Sequence, residues 1–190
     1  MDGKSDCFNS VCCLQCYRVL AHSAETGDNL WFIDNAHPGG VTALVLSHNH
    51  RFILTGGPQG EVRLWELRTR ELISHLKEHK QKVTCLALFE DDSSGLTGSR
   101  DRCVLRWDLK TEVSLEQSGL FSSNILMQHR THCHMQRMGG INSVALFKDQ
   151  SHILTVGQER RLTVWDNRSD HAVFSTFLDG ENDEGMTVAM

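Results

Sequence analysis

Thr97-Gly-Ser-Arg-Asp-Arg-Cys-Val-Leu-Arg-Trp107-Asp108 is the stretch of sequence that decides the fold, because two near copies of it occur in the same chain. The copies are Thr55-Gly-Gly-Pro-Gln-Gly-Glu-Val-Arg-Leu-Trp65-Glu66 and Thr155-Val-Gly-Gln-Glu-Arg-Arg-Leu-Thr-Val-Trp165-Asp166. An apolar run begins 24 positions before each tryptophan, and Trp65 and Trp107 are 42 positions apart. A fixed period of this length indicates a stack of similar supersecondary units.

Each copy predicts three short β-strands separated by polar turn residues, and a fourth strand follows the first and the third copy. The third strand alternates in period two and ends at the tryptophan, as in Val62-Arg-Leu-Trp65. One such sheet cannot bury both of its faces alone, so neighbouring sheets must stack against it. The other predicted strands are Val41–Leu46, Arg51–Thr55, Glu71–Leu76, Val83–Leu88, Ser94–Thr97, Ile141–Phe147, His152–Val156 and Ala172–Leu178.

These repeats resemble the WD-repeat family over roughly residues 18–178. The resemblance implies an all-β fold, a partial WD-repeat β-propeller with about three complete four-stranded blades and partial blades at both ends. Within residues 17–34, Gly27–Ile33 aligns with Gly60–Glu66, which places Phe32 at the tryptophan position. We therefore expect a piece of a larger propeller. Its predicted segments are a Cys-rich leader (1–16), the end of a preceding blade (17–34), WD repeats (35–76, 77–110 and 139–178), an inserted loop (111–138) and the start of a further blade (179–190).

The resemblance also implies a hydrogen-bonded network that locks each blade. In the family it runs from a His before the first strand, through a Ser or Thr on the second strand and an Asp in the next turn, to the Trp. The first repeat has Gln59 at the Asp position and the third has Arg137 at the His position, so we expect the middle blade to be the most rigid. The residues that match are His79, Thr97, Asp101 and Trp107 in the middle repeat, His37, Thr55 and Trp65 in the first, and Thr155, Glu159 and Trp165 in the third.

Composition and charge narrow the class of protein. Hydrophobic residues make up 39% and charged residues 23% of the chain, which is ordinary for a soluble globular protein. A net charge of −5 argues against a general nucleic-acid-binding surface, which would have to neutralise many phosphates. No apolar run approaches the ~20 residues of a membrane-spanning helix, and the start of the chain lacks a signal-peptide pattern. We expect an intracellular, cytoplasmic chain with no membrane partner.

Two motifs carry possible metal ligands. Cys13 and Cys16 form a Cys-x-x-Cys pair, but no second pair stands at the spacing of a zinc site. The run His129-Arg-Thr-His132-Cys133-His134 contains soft donors, yet it is better interpreted as a polar loop. Cys85 and Cys103 fall on predicted strands, where a free cysteine behaves as a small apolar residue. We therefore expect no metal and no other cofactor.

Signatures of catalysis are also missing from the sequence. It contains no Gly-x-Ser-x-Gly elbow, no His-Glu-x-x-His pair and no phosphate-binding loop. We therefore predict that the chain is not an enzyme, takes no small-molecule substrate and acts as a scaffold for protein–protein interaction.

The spacing from Trp107 to Trp165 is 58 positions, 16 more than the regular period, and the extra residues fall within 111–138. Insertions between blades map to loops on one face, which is often the binding face. A tolerated excursion of the chain is the alternative interpretation. The candidate partner-contacting residues are His129, Arg130, His132 and Arg137 near this insertion, and Arg68 and Arg168 after two of the tryptophans.

Three phrases of the sequence narrow the resemblance to one subgroup, the cilia- and flagella-associated WD-repeat proteins that line axonemal doublet microtubules. They are Asn35-Ala-His-Pro-Gly-Gly-Val-Thr-Ala43, Gly56-Gly-Pro-Gln-Gly-Glu-Val-Arg-Leu-Trp65 and Leu76-Lys-Glu-His79-Lys-Gln-Lys-Val-Thr-Cys85. The likeness continues in the third repeat at Gly140-Ile-Asn-Ser143, Val156-Gly-Gln158 and Val164-Trp-Asp166. This resemblance implies a structural component of the cilium or flagellum with tubulin or other axonemal proteins as partners. Trp165-Asp-Asn-Arg168 instead resembles the Trp-Asp-x-Arg pattern of substrate receptors of cullin-type ubiquitin ligases. A propeller module of a larger motor or regulatory protein is the third alternative.

Overall fold

The computed structural model describes the backbone of residues 10–12, 17–110, 129–133, 140–169 and 171–178, and the side chains of residues 17–110, 140–169 and 171–178. The described elements are β-strands in four antiparallel sheets, with essentially no helix. The predicted all-β class is therefore confirmed, and successive sheets form the blades of a partial propeller.

Each sheet is a meander of consecutive strands, and the first strand of the middle repeat (Val83–Leu88) lies between those of the first (Ala43–Leu46) and the third (Ile141–Leu146). The sheet before the first repeat contains β1 (Ser10–Cys12), β2 (Val19–His22) and β3 (Asn29–Ile33). The first blade contains β4 (Ala43–Leu46), β5 (Phe52–Gly56), β6 (Glu61–Glu66) and β7 (Leu72–Lys77). The middle blade contains β8 (Val83–Leu88), β9 (Ser94–Ser99), β10 (Cys103–Asp108) and β11 (His129–Cys133). The third blade contains β12 (Ile141–Leu146), β13 (His152–Gly157), β14 (Arg161–Asp166) and β15 (Ala172–Phe177).

Apolar clusters fill each interface between neighbouring sheets. Trp65 packs with Val19 and Ile33 of the preceding sheet, whereas Trp107 packs with buried leucines of the first blade such as Leu64. Trp165 packs in the same way against the cluster that joins the middle and third blades. Each tryptophan thus buries its ring against the blade before it, which explains why one blade alone has no core.

Hydrogen bonds between blades repeat with the same period. Thr42 Oγ1 donates to the carbonyl of Val83 at 2.5 Å, and Thr84 Oγ1 donates to the carbonyl of Ile141 at 2.6 Å. Both threonines stand one position after the start of their apolar run, at the innermost strand of a blade. Each therefore ties its own sheet to the first strand of the next one.

The sheet before the first repeat corrects one prediction, because Phe32 does not occupy the tryptophan position. β3 is the last strand of its sheet, as β7 is in the first blade, and a register shift at Ala21/His22 matches the shift at Leu64/Trp65. His22 therefore takes the tryptophan position, while Phe32 is 46% exposed. The alignment was wrong because only nine positions separate Phe32 from Val41, which leaves no room for a fourth strand between them.

Two strands lie where the sequence predicted none. Ser10–Cys12 falls within the predicted Cys-rich leader and pairs with β2. His129–Cys133 falls within the predicted inserted loop and pairs with β10, with Cys103 opposite Cys133. Without β11, the third strand of the middle blade would be an edge with unpaired N–H and C=O groups. A polar strand at a blade edge has too little apolar alternation to be recognised from sequence.

Candidate functional site

The middle blade holds a continuous chain of buried hydrogen bonds. Trp107 Nε1 donates to Thr97 Oγ1 at 2.9 Å, and Thr97 Oγ1 lies 2.7 Å from His79 Nε2. His79 Nδ1 lies 2.9 Å from Asp101 Oδ2. Because the carboxylate only accepts, we assign the proton of the imidazole to Nδ1, which leaves Nε2 to accept from the threonine hydroxyl. Every member of the chain then has a partner.

Asp101 closes this network at the turn between β9 and β10. It also accepts hydrogen bonds from the backbone N–H groups of Lys80 at 2.9 Å and Cys103 at 3.0 Å. Burial by itself would raise the pKa of Asp101, but the hydrogen bond from His79 and those from these two N–H groups lower the pKa to about 2. The carboxylate is therefore charged at neutral pH and holds two loops together.

The first blade builds the same network with a different acid. His37 Nε2 lies 2.8 Å from Thr55 Oγ1, which also accepts from Trp65 Nε1 at 2.9 Å. His37 Nδ1 faces Glu61 Oε1 at 3.3 Å, and Glu61 is only 3% exposed. Gln59, at the position that the resemblance gives to the acid, is exposed. Sequence reasoning missed Glu61, although a carboxylate at the first residue of β6, two positions after Gln59, was a usable signal.

The third blade shares only part of this arrangement among the described residues. Trp165 Nε1 donates to Thr155 Oγ1 at 2.9 Å, as in the other two blades. Glu159 is half-buried and receives no hydrogen bond from any described residue. Arg137, at the His position, lies outside the described residues.

The network of the first blade predicts how stability depends on pH. Burial lowers the pKa of His37 from 6.5 to about 4. The unfolded chain therefore binds a proton between pH 6.5 and 4 that the folded chain does not, so the free energy of unfolding falls as pH falls through this window. We expect a loss on the order of 3 kcal/mol, measured by urea unfolding at closely spaced pH values.

Substitution separates this effect from other titrations. His37→Gln removes the titrating group, so most of the slope between pH 6.5 and 4 should disappear even though the variant is less stable at every pH. His75→Gln is the matched control. Partial burial also lowers the pKa of His75, but its side chain is largely exposed to solvent and lies outside the network. An undiminished slope in His37→Gln would contradict the assignment.

The predicted partner contacts do not converge on one described site. Arg68 and Arg168 are exposed in turns that follow the third strands of the first and third blades, and the middle blade separates them. The backbone N–H of Arg168 donates to Asp166 Oδ1 at 2.7 Å, so this turn is closed locally. The side chains of His129, Arg130, His132 and Arg137 lie outside those that the structure describes.

The described residues offer little for chemistry. No group of three or more His, Cys, Asp or Glu residues among them is arranged to hold a metal ion. A cleft of about 580 Å³ lies between the middle and third blades, with Ala87, Val144 and Phe147 in its lining. Burial raises the pKa of the Cys85 thiol to about 11, so this thiol is protonated and a poor nucleophile at neutral pH. Within the same part of the chain, no helix has the length and apolarity needed to cross a membrane.

Comparison with known families identifies the repeat. The family model described as WD domain, G-beta repeat matches residues 27–66 and 70–108. The two matches begin beside β3 and β7, which supports the equivalence of these strands. The chain is therefore a WD-repeat protein, as its repeated tryptophans predicted.

The relatives extend this similarity across most of the chain. Cilia- and flagella-associated protein 52 of Homo sapiens is 30% identical over 151 residues, which cover 78% of this chain and 22% of that protein. The protein of the same name in Chlamydomonas reinhardtii is 26% identical over 167 residues, 87% of this chain and 24% of the relative. WD repeat-containing protein 18 of Danio rerio is 27% identical over 146 residues, 75% of this chain and 32% of the relative. The chain thus spans between about a fifth and a third of the length of these curated relatives, and the predicted resemblance to the cilia-associated subgroup is confirmed.

Proposed function

We propose that this chain is a non-catalytic scaffold for protein–protein interaction, a structural component associated with the microtubules of the ciliary or flagellar axoneme. The observation that carries the proposal is the similarity to cilia- and flagella-associated protein 52 from a mammal and from an alga. Tubulin or other axonemal proteins are the partners that this role requires. Nothing in the matches supports the ubiquitin-ligase alternative, and we do not propose it.

The physical character of the molecule supports a scaffold. Adjacent blades are joined by apolar interfaces and by the threonine bonds of the innermost strands, and a buried polar network holds the first and the middle blade together internally. Such coupling resists relative motion of the blades, so loops at their edges keep a fixed spacing. A surface of fixed spacing suits the binding of neighbouring proteins in an ordered assembly.

Localisation in ciliated cells tests the proposal. We expect the tagged chain to be found along axonemes and to remain there after detergent extraction. A tagged copy of cilia- and flagella-associated protein 52 is the positive control for the extraction. The tag alone is the negative control. A chain that washes out with the soluble fraction, from axonemes that retain the calibrating protein, would contradict the axonemal role.

A further inference from the structure

A cluster of exposed cations lies at one end of the middle blade, on the loops that connect its strands. Lys80 and Lys82 stand on the loop that enters the blade, and Arg100 and Arg102 stand on the turn between β9 and β10. None of these four side chains forms an ion pair with a described residue. We call these four residues the basic loop patch.

The two loops of the basic loop patch are clamped together. Arg100 N donates to the carbonyl of Lys82 at 2.9 Å, and Ser99 Oγ donates to the carbonyl of Gln81 at 3.0 Å. The third blade supports them from the side, since a Cβ on Gly140 would lie 2.5 Å from Arg100 Cα. The backbone that carries the four cations is therefore held in place before any partner arrives, which reduces the entropy lost on binding.

The backbone at Arg102 shows that the turn itself does not need an arginine. Its φ is 71°, in the left-handed region, where Gly60 stands with φ 85° at the equivalent position of the first blade. Glycine adopts this conformation without steric cost, whereas a side chain with a Cβ is strained there. Arg160 stands at the equivalent position of the third blade with φ 56°, so a left-handed arginine recurs in these turns, and glycine can replace it without disturbing the backbone.

Charge distinguishes the basic loop patch from the rest of the chain. The whole chain carries a net charge of −5, and Asp101, the acid inside this turn, is engaged by His79 and by backbone N–H groups. At the other end of the strands of this blade, the turn between β8 and β9 exposes Glu90 and Asp91. Four cations that form no ion pair with a described residue stand on clamped loops, where they repel one another and create a local positive field that an anionic partner would relieve.

We propose that the basic loop patch binds an acidic, extended peptide segment of a partner protein. Arginine guanidinium groups pair with carboxylates in a bidentate geometry, and the two lysines add point charges beside them. A protein segment fits better than nucleic acid, because a small cationic patch on an acidic chain cannot neutralise many phosphates. The proposal rests on the scaffold role proposed above but not on its location in the cilium.

The contact is a weak one that acts together with other contacts. Exposed ion pairs each contribute little, so the patch alone gives an affinity in the micromolar range or weaker. Within an ordered array, several such contacts reinforce one another because the second and later contacts are intramolecular. Binding should also weaken steeply as salt is added, since the charges are exposed.

Titration of the full chain with labelled peptides tests the proposal. We expect a fluorescein-labelled oligoglutamate peptide to bind, an oligoglutamine peptide of equal length not to bind, and a single-stranded oligonucleotide of equal charge to bind more weakly. Arg102→Gly should weaken oligoglutamate binding about threefold or more while leaving the fold as stable as before, because glycine relaxes the left-handed turn.

Arg70→Gly is the matched control. Arg70 is also exposed, and its backbone is also in the left-handed region, with φ 64°. It lies in the turn between β6 and β7, however, at the end of the strands opposite to the basic loop patch. Both substitutions remove one positive charge, so a general charge effect would weaken binding equally in both variants and overturn the proposal. Equal binding of oligoglutamine, or tighter binding of the oligonucleotide, would overturn it as well. Axonemal retention of Arg102→Gly is read separately, so failure of this site is distinguishable from failure of the ciliary role.

Discussion

Replacing Gly60 by alanine will destabilise the chain by more than about 3 kcal/mol. Gly60 has φ 85°, and a Cβ placed there would lie 2.1 Å from the carbonyl oxygen of His79. That oxygen belongs to the backbone of the loop that positions the histidine of the middle network, so the clash cannot be relieved by rotating a side chain. Left-handed strain adds to the overlap between blades. Urea unfolding of the full chain, followed by tryptophan fluorescence, measures the loss.

Gly27→Ala separates the steric clash from the cost of the left-handed backbone conformation. Gly27 has a similar φ of 75°, but apart from its own chain neighbours no described residue has a heavy atom within 4 Å of the position its Cβ would take. Only the cost of the left-handed conformation remains there, so we expect a loss of about 1 kcal/mol. If both variants lose the same stability, the close approach of Gly60 to the next blade contributes nothing, and the prediction is wrong.

The second large effect is expected for Thr97→Val, which should cost about 3 kcal/mol. Valine keeps the branched shape but removes the hydroxyl that accepts from Trp107 Nε1 and bonds His79 Nε2. Both groups are buried, with Trp107 2% and His79 3% exposed, so neither finds water in place of the lost partner. Each unsatisfied buried group carries a desolvation penalty of about 1–3 kcal/mol. Urea unfolding again provides the measurement.

Thr97→Ser is the control for this variant. Serine retains the hydroxyl and both hydrogen bonds while losing one buried methyl group, which should cost about 1 kcal/mol. Comparing the free energies of unfolding of the two variants therefore decides whether the network stabilises the blade. A Thr97→Val chain as stable as Thr97→Ser would mean that the network does not stabilise the blade.

Local regularity explains how much of the fold the sequence could predict. The alternation in Val62-Arg-Leu-Trp65 defines a half-buried strand without any knowledge of its neighbours, and the constant spacing of the tryptophans defines the repeat. The sequence also singled out His79, Thr97, Asp101 and Trp107 as one network, and their side chains lie within hydrogen-bonding distance in sequence-distant parts of the blade.

Three features escaped prediction because they depend on what lies beside a residue in space. Glu61 replaces the expected acid of the first blade because its longer side chain reaches His37 from the start of β6. Phe32 was misplaced because a Leu-Trp-Phe-Ile run resembles the end of a third strand as much as a fourth. Strand β11 is polar and carries no apolar alternation, so only its pairing with β10 reveals it.

The sequence by itself determined the architecture, since strand order, repeat length and the buried tryptophans follow from periodic patterns within each repeat. Only the tertiary structure decided which acid completes each network, which strand occupies each blade position and which cations gather at one edge. Those outcomes depend on side-chain reach and on loops that meet through hydrogen bonds between distant residues, as Arg100 meets Lys82. A pattern along the chain shows the period of a strand but not the distance between two loops. The four cations are neighbours only because their two loops meet in space.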